Sequence, residues 1–183
     1  DTASQSLLFN PDGTKMFMLG DTNNSVFQYT LTTGFDISTA SYDSVSFDVS
    51  AQDSGSRSFT FSPDGTKMFY IGNDNKTVYQ YTLTTGFDIS TASYDNNSFF
   101  VDEDIRPFGI TFNPDGNKMF ISGNANNAIY EYDLGTSFNI STTVYNSVSF
   151  DISSQDTASQ SLLFNPDGTK MFMIGISSDK VHE

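Results

Sequence analysis

Asn10-Pro11-Asp12-Gly13-Thr14-Lys15-Met16-Phe17-Met18-Leu19-Gly20 is the phrase on which the fold turns, because the chain writes it four times. It returns as Ser62 to Gly72, Asn113 to Gly123 and Asn165 to Gly175. Successive copies start fifty-one or fifty-two residues apart, a period that belongs to propellers and other repeat arrays. Pro-Asp-Gly between two apolar runs is turn chemistry: Pro presets φ, Asp bonds its own backbone, and Gly accepts φ > 0 without a side-chain clash. Each copy therefore predicts a tight hairpin, with a short strand such as Leu7-Leu8-Phe9 before the turn and Met16 to Leu19 after it.

The rest of the unit follows in register. Val26 to Leu31, Val78 to Leu83 and Ile129 to Leu134 carry the β-branched and aromatic residues of a third strand. Tyr42 to Phe47, Tyr94 to Phe99 and Tyr145 to Phe150 predict a fourth. Four short antiparallel strands per unit make a propeller blade. The expected fold is an all-β propeller of blades about 52 residues long: blade 1 at residues 1–52, blade 2 at 53–103, blade 3 at 104–155 and a partial blade 4 at 156–183. Three full blades and a fragment do not comfortably close a ring, since propellers use about four to eight. The chain reads as a processed or excised piece, and a homo-oligomer completing the ring is the expected partner. Asp156 to Gly175 differs from Asp1 to Gly20 only at Ile174, so either half suits the same slot.

Twenty-two acidic against eight basic residues give a net charge of −14, which repels phosphate backbones and argues against nucleic acid as a partner. No stretch is long and apolar enough to suggest membrane insertion. With no Cys and a single His, His182, the common nucleophile–base pairs and zinc sites have no material.

Two sets of positions invite chemistry. Asp1, Asp53, Asp104 and Asp156 each stand nine residues before the residue that opens the repeated phrase. Facing one channel, they would form a carboxylate ring able to hold Ca²⁺ through oxygen. The competing reading has each Asp cap its own turn or bond the next blade. Four residues further on stand Gln5, Arg57, Phe108 and Gln160, with Arg106 and Pro107 departing from Ala3 and Ser4. Variation on a constant scaffold is what a recognition surface shows, so Gln5, Asp53, Arg57, Asp104, Arg106, Phe108 and Gln160 are the expected ligand-binding set.

Phe61 to Phe69, Val78 to Leu83 and Phe87 to Tyr94 together resemble YVTN-type β-propeller repeats. They are more similar still to repeats of marine phage structural proteins and environmental bacterial surface proteins. That resemblance implies a non-enzymatic binding or display module at an extracellular or virion surface, recognising a glycan or a surface protein. The alternative is a Ca²⁺-dependent, lactonase-like propeller hydrolase. Fold alone does not choose between them.

Overall fold

The computed structural model describes residues 1–183 and contains four antiparallel sheets. Blade 1 is β1 (Ser4–Phe9), β2 (Lys15–Gly20), β3 (Ser25–Leu31) and β4 (Ala40–Asp48), hydrogen-bonded in that order. Blade 2 repeats the order with β5 (Ser56–Phe61), β6 (Lys67–Gly72), β7 (Thr77–Leu83) and β8 (Ala92–Phe100). Blade 3 does so with β9 (Pro107–Phe112), β10 (Lys118–Gly123), β11 (Ala128–Leu134) and β12 (Thr143–Asp151). The expectation of three blades and a fragment is corrected to four blades. The last residues form a sheet of their own, β13 (Ser159–Phe164), β14 (Met171–Gly175) and β15 (Lys180–His182). Three strands suffice there because β13 is packed against β9, so this sheet inherits a neighbour's core instead of building one alone.

The hairpin phrase behaves as its residues dictate. Gly65 sits at φ +70, and the ring of Phe87 lies so close that a Cβ at Gly65 would meet it at 2.3 Å. The positive φ disfavours a side chain there, and the ring leaves no space for one. The Phe87 ring arrives from a 3-10 turn, Ile89–Thr91, which Asp88 caps by accepting the Ser90 amide at 3.1 Å and the Ser90 hydroxyl at 2.6 Å.

Between blades the core is aromatic. Phe17 of blade 1 lies 4.8 Å from Phe61 and 6.4 Å from Phe87 of blade 2. Phe69 of blade 2 meets Phe112 and Phe138 of blade 3 at 4.5 and 6.4 Å. Phe120 of blade 3 meets Phe164 of blade 4 at 4.7 Å. Outer strands add edge-to-face pairs, Phe47 on Tyr81 and Phe99 on Tyr132, both at 5.3 Å.

A polar relay runs through the same interfaces. In blade 2 the Gln80 amide donates to Asp95 at 2.8 Å, while its carbonyl accepts the Ile140 amide of blade 3 at 3.0 Å. Gln28, Asp43 and Ile89 repeat the arrangement between blades 1 and 2. The carboxylate can only accept, so it fixes which way the glutamine points. Blade 3 swaps the chemistry: Asn146 donates to Glu131 at 2.8 Å, and Lys118 pairs with the same carboxylate.

Candidate binding site at the channel mouth

The first strands of all four blades, β1, β5, β9 and β13, line one axial cavity of about 260 Å³, with Gln5 and Gln160 among its walls. Corresponding side chains therefore face a common axis, as a radial arrangement of blades requires. At one end of this channel lie the loops that lead into each first strand, which carry the Asp set, and the opening residues of the first strands, which carry the varying set.

The Asp set goes to structure. Asp53 is buried and accepts the Gly55 and Asn75 amides at 2.8 and 2.7 Å. Asp104 is likewise buried and accepts the Arg106, Ala125 and Asn126 amides. Asp1 takes the Ala3 and Asn23 amides. Each carboxylate thus ties the loop that precedes its first strand to the loop between the second and third strands. No three His, Cys, Asp or Glu side chains come together as a metal-holding group. Asp1, Asp53, Asp104 and Asp156 each stay with the loops of their own blade and are not brought together, and Asp53, Asp104 and Asp156 are almost wholly buried.

Asp156 shows the electrostatics of this arrangement. Burial pushes its carboxyl up, but the Ser178 hydroxyl and the Ser178, Ala158 and Ser177 amides outweigh that and lower it from 3.8 to about 2. A carboxyl lowered on folding adds stability above its unfolded value, and that stability is lost as pH falls through the folded value. Asp156→Asn is therefore expected to lower the melting temperature at neutral pH. The gap to the parent chain should narrow below pH 3.8 and close below about 2, as followed by circular dichroism.

His182 gains a partner that sequence reasoning missed. Its Nε2 lies 3.0 Å from the Ser178 hydroxyl, which donates to Asp156 at 2.6 Å. The order is acid, serine, histidine, whereas an activated serine needs the histidine in the middle. A carboxylate held at about 2 is too weak a base to take the serine proton. The periodicity gave no signal for this cluster, because aromatic residues, Phe27, Tyr79 and Tyr130, hold the His182 position in the other blades.

The varying set shares one register position, with Gln5 and Gln160 on the cavity and Arg57 beside Phe108. Gln5, Arg57, Phe108 and Gln160 are each the extra residue of a β-bulge in the first strand, opposite the closing Gly of the repeated phrase. A bulge frees one side chain from the strict alternation of the ladder. Arg57 leaves blade 2 in both directions: its guanidinium carbon stands 5.0 Å from the ring centre of Phe108 in blade 3, and its Nη1 is 3.7 Å from Asp21 in blade 1. Its Nε is buried and has no partner. Arg106 is exposed on the adjacent blade and forms no ion pair. These two are the only arginines in the chain, and both stand on loops or strands at this end of the channel.

Solved structures share the architecture. A Bacteroides uniformis protein assigned as a 6-phosphogluconolactonase matches with TM-score 0.67 at 16% identity, over 97% of this chain and 49% of its own. The periplasmic gluconolactonase PpgL of Pseudomonas aeruginosa matches with TM-score 0.63 at 14% identity, over 97% and 48%. The Swd1 β-propeller domain from Myceliophteria thermophila matches with TM-score 0.58 at 11% identity, over 98% and 52%. The chain spans about half the length of these structures, and at such identities they establish the β-propeller fold. The chain matches no protein-family model and no curated protein. No helix is long and apolar enough to cross a membrane.

Proposed function

We propose that the chain is a non-enzymatic recognition module whose channel mouth binds an acidic glycan. The observation that carries this reading is the bulge position. On four nearly constant blades it holds Gln5, Arg57, Phe108 and Gln160, with the guanidinium of Arg57 stacked on Phe108. Stacking holds the planar fork in place, so little side-chain entropy is lost when it meets a sugar carboxylate. The glutamine amides offer both a donor and an acceptor to hydroxyls. Arg106 is exposed two residues before Phe108 and engages no carboxylate of the chain, so its guanidinium is free to meet an anionic group. The repeat phrases, with their likeness to YVTN-type surface and virion proteins, support an exported display role.

A second reading, lactone hydrolysis, draws support from the names of two similar structures. Among the four bulge residues no carboxylate, histidine or lysine offers it a general base. A glycan array that includes uronic-acid oligosaccharides tests the first reading. The parent chain should bind an acidic member, and Arg57→Ala should weaken that binding by about tenfold or more, the scale of one charge-assisted hydrogen bond. A blank array, together with turnover of gluconolactone or 6-phosphogluconolactone above the buffer rate, would replace recognition by hydrolysis.

A further inference from the structure

Blade 3 departs from the repeat in the connection that leads into its first strand. From Asp1, Asp53 and Asp156 the other blades read Asp-Thr-Ala-Ser-Gln, Asp-Ser-Gly-Ser-Arg and Asp-Thr-Ala-Ser-Gln, whereas blade 3 reads Asp104-Ile105-Arg106-Pro107-Phe108. The position of Ile105 is exposed in every blade, as Thr2, Ser54 and Thr157, so the loop itself puts this side chain in solvent. Ile105 is 66% exposed, and Arg106 beside it is exposed and free of any ion pair.

The backbone of the connection keeps the form it has in blade 2. Asp104 accepts the Arg106 amide at 2.7 Å, as Asp53 accepts the Gly55 amide at 2.8 Å. The Arg106 carbonyl accepts the Asn124 amide at 3.0 Å, as the Gly55 carbonyl accepts the Asn73 amide at 3.0 Å. A tethered loop therefore offers an aliphatic side chain and a guanidinium on consecutive residues, with Cα atoms about 3.8 Å apart.

The rim next to this loop differs in the same sense. Phe100, 52% exposed, stands where blades 1 and 3 have Asp48 and Asp151. Lys76, whose Nζ lies 4.7 Å from the centre of that ring, stands where they have Asn24 and Asn127. Asn24 is hydrogen-bonded to the Ser56 hydroxyl of blade 2 at 3.0 Å, and Pro107, in the place of Ser56, has no hydroxyl to hold such a partner. Of the acids on the connection, Glu103 accepts the Tyr132 hydroxyl at 2.7 Å, and Asp102 is exposed and pairs with neither cation. Asp102 disfavours a ligand with acid groups spread along its length, while Arg106 favours one whose negative charge sits at a single point.

We propose that the junction of blades 2 and 3 is the subsite that selects among acidic glycans, and that it takes a sugar bearing both a carboxylate and an N-acyl group. The carboxylate meets Arg106, and the acyl methyl packs on Ile105. This rests on the reading of the channel mouth as a recognition surface, and it places the acidic sugar off the axis, over one pair of blades. A simple uronic acid carries its charge among hydroxyls and has nothing apolar to set against Ile105, whereas an acylamido group ends in a methyl on a short arm.

The test is isothermal titration calorimetry of the whole chain with three probes. They are an oligosaccharide ending in N-acetylneuraminic acid, the same oligosaccharide with a hydroxyl in place of the acetamido group, and a uronic-acid oligosaccharide. The parent chain should bind the first about fourfold or more tighter than the second, the scale of burying one methyl. Ile105→Ser should bring those two affinities together, and Ile105→Leu should keep them apart. Arg106→Gln should weaken both by about tenfold and leave their ratio unchanged. All three substitutions are at exposed side chains, so the melting temperature should stay that of the parent. Equal parent affinity for the first two probes, a preference that survives Ile105→Ser, or parent-like binding by Arg106→Gln would each overturn the inference. Binding of the uronic-acid probe in any of those cases leaves the recognition reading standing, and a chain that binds none of the three overturns both.

Discussion

Gly72→Ala is expected to lower the melting temperature by about 10 °C or to prevent folding, although Gly72 sits in a regular strand. A Cβ at this position would fall 2.2 Å from the Asp53 carboxyl carbon. The carboxylate cannot simply swing aside, because it is buried and held by the Gly55 and Asn75 amides at 2.8 and 2.7 Å. Displacing it adds overpacking of about 1–3 kcal/mol to the loss of hydrogen bonds to a charged group, about 1.5–3 kcal/mol each. For a chain of this size about 4 kcal/mol corresponds to some 10 °C. Thermal unfolding by circular dichroism checks it, and a shift under about 3 °C would mean that the carboxylate has room to move.

Gln80→Glu should cost about 3 kcal/mol, and adding Asp95→Asn should restore most of it. Gln80 is buried between Asp95, to which it donates, and the Ile140 amide, from which it accepts. A glutamate there removes the donor and sets two carboxylates against each other. Blade 3 already contains the solution, since Glu131 and Asn146 exchange the roles while Lys118 neutralises the acid. Lys67 stands 3.9 Å from Asp95 and holds the place of Lys118 in blade 2. Denaturant unfolding of the two single variants and the double variant gives the coupling directly. Additive losses would show that the blade 3 arrangement depends on its surroundings and does not transfer.

The four hairpins, their strand order and the blade period were readable because local chemistry dictates them. Pro-Asp-Gly turns in one way, and alternating Val, Tyr and Phe runs of six or seven residues have only a pleated surface to fit. The variable Gln5, Arg57, Phe108 and Gln160 were readable too, as differences on a constant frame. The Ca²⁺ reading of the four Asp residues turned on a point that spacing does not carry. A regularly placed Asp serves a channel or its own loop equally well, and here the nearest donors are backbone amides one loop away. The bond between Asp53 and the requirement for Gly72 was hidden for the same reason, since both residues recur at fixed positions without any sign that they touch.

By itself the amino-acid order determined what each unit is: where the chain turns, which residues pair across a hairpin, and that the unit recurs four times. Only the tertiary structure decided what each copy is for. Ile37 and Ile89 lie in identical Phe-Asp-Ile-Ser-Thr-Ala surroundings, yet one is bare and the other is buried under a neighbouring blade. Turn and strand preferences act over a few residues, whereas burial depends on which surface arrives from some fifty residues away.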